Sequence, residues 1–238
     1  MKLLAVDTST AVESVAVLDG GELLSERVIV VKETHNRRLL ETIDRTLSDA
    51  GVSLRDIEMF AVGVGPGSFT GIRIGITTIK ALAWSLGKPV MGVSSLDALA
   101  APFSFGKGYI CPMIDARKRE VYYAFYEADG SGNFRRESKY KVGAPSIVEK
   151  EIVEKGIKEI FFCGDGWKIY KDHFLQSLTC RIIDPPEVFH SIRASFIGML
   201  AWKNFNSGIS PSTPFELVPF YVRPSEAELK SGGTGPKS

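Results

Sequence analysis

Apolar and polar residues fall into short, regular blocks along this 238-residue chain. Leu3–Asp7 is an apolar run that reads as a buried strand and closes on Asp7-Thr8-Ser9-Thr10. Ser14–Leu18 alternates with a period of two, Asp19-Gly20-Gly21 supplies a hairpin turn, and Leu23–Val31 reads as a third strand. Leu39, Leu40, Ile43, Leu47 and Ala50 then recur at helical spacing, with Thr34 or Asn36 as the cap and Gly51 as the stop. A strand at Met59–Val64, a helix at Thr70–Leu86 and a strand at Pro89–Val93 follow. Hairpin strands followed by alternating helix and strand predict an α/β half with a mixed sheet.

After Ser94–Ala101 the pattern restarts. Tyr109–Ile114 is apolar and ends in Asp115-Ala116-Arg117; a strand at Val121–Tyr126 and a turn at Asp129-Gly130-Ser131-Gly132 come next. Asp7 and Asp115 each close a strand ahead of a hairpin, which reads as an internal repeat. A helix at Pro145–Lys155, a strand at Ile160–Cys163, a Gly164-Asp165-Gly166 turn into a helix near Trp167–Leu178, a short strand at Cys180–Ile183 and an apolar helix at Ser191–Phe205 complete the second half. Phe220–Arg223 reads as extended, and the polar stretch from Ser225 as a disordered tail. The expected division is residues 1–100, 101–224 and a tail at 225–238, with the helix at about 191–206 able to pack back on the first half.

One stretch organises the rest: Gly63-Val64-Gly65-Pro66-Gly67-Ser68-Phe69-Thr70-Gly71-Ile72-Arg73-Ile74-Gly75. It joins a buried strand to a helix, a geometry that aims backbone N–H groups and the positive helix end at one point. Ser68 or Thr70 can cap that helix. No Gly-Lys-Ser/Thr follows, so it is not a Walker loop, and the G-x-G-x-x-G spacing fails at Ser68 or Thr70. The plainer reading, that the glycines let the helix pack close to the sheet, is the one the spacing favours. The helix itself carries Ile72, Ile76, Ile79, Ala83 and Leu86 on one stripe, with other sides also apolar. Such a helix is buried on more than one side. A neighbouring helix or a second protein must cover what the sheet does not.

Composition narrows the chemistry. Lys and Arg number 29 against 28 Asp and Glu, so no global charge draws the chain to nucleic acid or membrane. No apolar run has the length of a membrane helix, and Asp7 cuts the N-terminal run too short for a signal peptide. Cys111, Cys163 and Cys180 read as reduced core thiols of a cytoplasmic protein. His35, His173 and His190 have no metal-ligand spacing, so no metal is expected. The basic runs Arg117-Lys118-Arg119 and Arg135-Arg136 read as solvated turns before they read as RNA contacts.

The stretch Gly65–Gly75, GPGSFTGIRIG, resembles the signature of the TsaB (YeaZ) family. The opening LLAVDTST, Thr34-His35, Ile114-Asp115-Ala116-Arg117 with Glu120-Val121-Tyr122, Gly164-Asp165-Gly166, and Pro219-Phe220-Tyr221-Val222-Arg223 resemble it too, in the right order. The resemblance implies a duplicated fold of the actin/hexokinase/chaperone-ATPase class. It also implies a role in making threonylcarbamoyladenosine beside the anticodon of tRNA, as a non-catalytic subunit. The implied partners are a TsaD homologue, which transfers the threonylcarbamoyl group, a TsaE homologue, and a second copy of the chain, with tRNA met only through the complex. TsaD-like proteins hold a metal with two histidines four apart; the matching positions here are Ser95 and Leu99. Leu39, Ile43, Gly71, Ile72, Arg73, Gly75, Ile76 and Ile79 are the expected interface, one patch serving both self-association and TsaD. No cofactor is expected, although Asp7, Asp115, Gly164 and Gly166 stand where weak ATP or ADP binding would place them. Two other functions compete. An ATP-dependent phosphotransferase or ATPase would rely on Asp7 and Asp115, but neither turn has the Asp-x-Gly form. A metalloprotease would need H-E-x-x-H, which does not occur.

Overall fold

The computed structural model describes residues 1–31 and 38–223. Thr34, His35, the Asn36 cap and the tail from Ser225 lie outside those residues. In the first half, β1 (Lys2–Asp7), β2 (Val12–Asp19) and β3 (Glu22–Val30) form an antiparallel meander. Then come α1 (Leu39–Asp49), β4 (Met59–Gly65), α2 (Phe69–Leu86) and β5 (Val90–Ser94). The sheet order is β3-β2-β1-β4-β5, with β1, β4 and β5 mutually parallel. A short helix, α3 (Ser95–Ala100), leads into the second half.

The second sheet has seven strands. Its central strand is β6 (Lys107–Asp115), which takes the place of β1: antiparallel neighbours on one side, parallel β11 (Glu159–Cys163) and then β12 (Arg181–Ile183) on the other. The run expected as one strand, Val121–Tyr126, is two: β7 (Val121–Tyr123) and β8 (Tyr126–Asp129). They pair with opposite ends of β6, and β8 continues to β9 (Phe134–Arg136) while β7 continues to β10 (Lys141–Gly143). At the break, the N–H of Phe125 donates to Ser138 Oγ and its carbonyl accepts from the N–H of Glu137. Partners outside the ladder therefore satisfy the backbone where the strand changes side. The helices are α4 (Pro145–Glu154), α5 (Asp165–Ser177) and α6 (Ala194–Asn206).

Three apolar clusters hold this together. One fills the space between the first sheet and α1 with α2. Another lies between the second sheet and α4 with α5, where Trp167 stacks on Phe162 at 4.6 Å. The third joins the halves through α3 and α6. Although α6 comes last, it packs on the first sheet: a Cβ at Gly198 would lie 2.4 Å from Leu18 Cδ1. Its start is capped from the same sheet. The Ala194 N–H donates to Ser14 Oγ and the Ser195 N–H to Glu26 Oε1, while Arg193 pairs with Glu26. A carboxylate at a helix start satisfies free N–H groups and complements the helix dipole.

Candidate functional site

The site begins where β1 stops. Asp7, Thr8 and Ser9 are fully buried. Oδ1 of Asp7 accepts from the Ser9 N–H at 2.9 Å and the Ser9 hydroxyl at 2.8 Å, and Oδ2 accepts from the Ser95 hydroxyl at 3.1 Å. Four glycines spaced by four residues press against this turn. A Cβ at Gly63 would sit 1.9 Å from Asp7 Oδ2, at Gly67 2.2 Å from the Ser9 carbonyl, at Gly71 2.0 Å from the Thr8 carbonyl, and at Gly75 2.5 Å from Thr8 Oγ1. Only hydrogen fits at those places. The close-packing reading of the signature is therefore the one the geometry bears out, and the surface approached is the β1 turn. Gly65 differs: its φ is 104°, and a Cβ there would meet Ile72 and the Phe220 carbonyl.

A helix start next to a glycine loop is ordinarily an anion site. Here the chain itself takes two of the N–H groups. The Ser68 N–H donates to the Ser9 carbonyl at 2.6 Å, and Ser68 Oγ accepts from the Gly71 N–H at 3.2 Å, so Ser68 rather than Thr70 is the cap. The Thr8 hydroxyl donates to the Gly71 carbonyl at 2.7 Å. Pro66 lies buried in the same loop and Gly67 is half-buried.

The stripe expected to meet a partner turns the other way. Leu39, Ile43, Ile72, Ile76 and Ile79 are all at most 3 % exposed and form the core between the helices and the first sheet. The reason is the glycine face: with Gly71 and Gly75 held on the β1 turn, the isoleucines beside them must point into the sheet. The outer face of α2 carries Phe69, Thr70, Arg73, Thr77, Ala81 and Trp84 instead. Part of that face is already covered by the chain beyond α6. Tyr221 stacks on Phe69 at 5.1 Å and accepts from Arg73 Nε at 3.0 Å, and Trp84 meets Phe215 edge-on. Lys80 donates to the Leu217 carbonyl and the Phe220 N–H to the Val64 carbonyl. Hydrophobic periodicity does not reveal this strap, whose ring contacts are formed only by tertiary structure.

The second half repeats the device with different atoms. Asp115 Oδ1 accepts from the Arg117 N–H at 2.9 Å, and the Asp115 N–H donates to Asp165 Oδ1 at 3.0 Å. Gly164, at φ 102°, would place a Cβ 2.0 Å from the Met113 carbonyl, and Gly166 lies against the backbone of Met113 and Ile114. Burial raises the Asp165 carboxyl above its usual range. The basic run is neither a helix nor a strand: Arg117, Lys118 and Arg119 have φ of 61°, 52° and 62°, a left-handed turn that non-glycine residues rarely adopt. Glu120, just after it, pairs with Arg223 of the strap.

Ser95 is buried on Asp7, and the Leu99 side chain lies in the core with its carbonyl accepting from Cys163 Sγ. Among the described residues, no group of three or more His, Cys, Asp or Glu is placed to hold a metal ion, and no helix is long and apolar enough to cross a membrane. Cys111 and Cys163 are buried free thiols; Cys180 is half-buried.

Residues 28–230 match the family model for the TsaD tRNA N6-adenosine threonylcarbamoyltransferase. The chain is 30% identical over 240 residues to the tRNA threonylcarbamoyladenosine biosynthesis protein TsaB of Bacillus subtilis, covering 97% of each. It superimposes on YeaZ from Pseudomonas aeruginosa with a TM-score of 0.75 at 30% identity, covering 92% of this chain and 99% of that one. Component A of the (R)-2-hydroxyglutaryl-CoA dehydratase of Acidaminococcus fermentans, at TM-score 0.51 and 11% identity over 86% of this chain and 98% of that one, shows the shared actin/hexokinase-like fold alone.

Proposed function

The chain belongs to the TsaB (YeaZ) family, and on that premise we propose that it is a non-catalytic subunit in the making of threonylcarbamoyladenosine in tRNA. One observation carries the non-catalytic part. Both turns where a nucleotide phosphate would approach are filled by the chain itself. At the first, Ser9 and Ser95 take the Asp7 carboxylate, and two N–H groups of the α2 start, those of Ser68 and Gly71, are taken by the Ser9 carbonyl and Ser68 Oγ. At the second, Asp115 is spent on Arg117. At the first turn a phosphate would have to displace buried hydrogen bonds, each of which costs free energy to leave unmade; at the second it would displace the exposed contacts of Arg117 with Asp115.

The chain then acts by pairing with a TsaD homologue, with a TsaE homologue completing the assembly and tRNA bound only by the complex. The face offered is the outer side of α2, where Thr77 and Ala81 are small and exposed between Arg73 and Trp84. Small residues let a partner helix come close, and exposed apolar groups such as Trp84 gain from being covered. The same face would serve a second copy of the chain, so self-association and TsaD binding should exclude each other. The test is reconstitution of tRNA modification from purified TsaD and TsaE homologues with and without this chain. Product made at the same rate without it would end the proposal, as would ATP turnover by the chain alone.

A further inference from the structure

Beside the edge of β5, between the two halves, lies a cleft of about 520 Å³, within the range of small-molecule sites. No residue of the Asp7 or Asp115 turns lines it. Aromatic rings do: Phe134 and Tyr140 from the second half and Phe220 from the strap, with Tyr140 and Phe220 meeting edge-to-face at 5.2 Å. Flat apolar ligands are held between such rings.

The polar groups are unevenly satisfied. Asp97 is the cleft's carboxylate, and its oxygens are taken: Oδ1 accepts from the Tyr126 hydroxyl at 2.6 Å and the Tyr140 hydroxyl at 2.8 Å, and Oδ2 from Tyr140 at 2.9 Å. Its cations make no direct ion pair among the described residues, although the charge of Arg136 acts on the Asp97 carboxylate from a distance. The Arg136 side chain lies 3.8 Å above the Tyr140 ring and makes no direct ion pair or hydrogen bond among the described residues. Lys203 has one neutral partner, Asn133 Oδ1 at 2.9 Å. Ser94, nine-tenths buried, also lines the cleft. Its hydroxyl is near enough to Tyr140 to act on that phenol, yet it makes no aligned hydrogen bond.

We propose that this cleft binds a small organic anion with a flat apolar body, its charged group between Arg136 and Lys203 and its body against Phe134, Tyr140 and Phe220. The inference does not depend on the role in tRNA modification, because it rests on groups that role does not use.

The test uses the full chain, titrated by two-dimensional NMR with indole-3-acetate, with its neutral isostere indole-3-acetamide, and with inorganic phosphate. Indole-3-acetate is expected to saturate the protein, with shifts centred on Arg136, Tyr140 and Phe220. Arg136→Met and Lys203→Met should each weaken it about tenfold, the worth of one charge-assisted contact. The amide should bind about tenfold more weakly for the same reason, and phosphate alone should leave these residues unmoved. Arg117→Met, an exposed cation elsewhere, should change nothing. No saturation, equal binding of acid and amide, equal binding of phosphate, or indifference to both cleft variants would each overturn the proposal. Both variants are on exposed side chains, so folding is not at stake, and unchanged amide dispersion checks it.

Discussion

The Ser95 hydroxyl donates to Oδ2 of Asp7 across 3.1 Å, tying the start of α3 to the end of β1. The family resemblance sets Ser95 against a metal-binding histidine of TsaD-like proteins. Here it is a tether that holds the carboxylate against the glycine loop, with Gly63 directly behind it.

Removing that carboxylate should be a stability change and not a catalytic one. Asp7→Ala leaves the Ser9 N–H and two hydroxyls buried without their acceptor, and should cost about 3 kcal/mol of unfolding free energy. Urea denaturation of the variant and parent measures it. An unchanged midpoint would show that the turn tolerates an empty acceptor site.

Gly71→Ala separates two effects of opposite sign. Helix propensity alone predicts a gain of about 1 kcal/mol. The clash of a Cβ with the Thr8 carbonyl at 2.0 Å predicts a loss of about 3 kcal/mol, because backbone cannot step aside. The sign of the shift in the urea midpoint decides between them, with Ser85→Ala on the exposed side of α2 as the reference.

Charge placed on the two sides of α2 should have different outcomes. Ile76→Asp puts an unpaired carboxylate in the core and should prevent folding, seen as lost near-ultraviolet circular dichroism. Ala81→Asp, on the exposed face, should fold within about 0.5 kcal/mol of the parent and lose both self-association and TsaD binding on gel filtration. A folded Ala81→Asp that still pairs would move the interface elsewhere.

Asp165 gives a pH dependence with a definite sign. Burial raises its folded carboxyl above the ordinary 3.8, so the folded chain holds this proton more tightly than the unfolded one. Its contribution to stability is therefore fully present below 3.8 and is lost as pH rises through the raised value. Asp165→Asn, which can still accept from the Asp115 N–H, should flatten that part of the thermal-midpoint profile. A profile identical to the parent's would assign the titration to another group, such as Asp97, which burial raises in the same way.

Much of the architecture was determined by sequence alone. The period-two alternation of Ser14–Leu18, the helical spacing through Leu47, and the paired strand-Asp-turn blocks at Asp7 and Asp115 are local patterns, and local sterics and burial act on them directly. The repeat appears again as two sheets in which β1 and β6 hold equivalent places. Tertiary structure decided the rest. Which stripe of α2 faces the sheet could not be read from a helix apolar nearly all round; the approach of Gly71 and Gly75 to Thr8, more than sixty residues away, chose it. The break between β7 and β8 depended on Ser138 and Glu137 arriving to satisfy Phe125. The cleft at Asp97 is assembled from β5, α3, β9, α6 and the strap, pieces far apart in sequence. Periodicity records what each segment buries. It carries no record of which distant backbone or charge comes to meet it, and at this site those meetings set both the packing of the turn and the charge of the cleft.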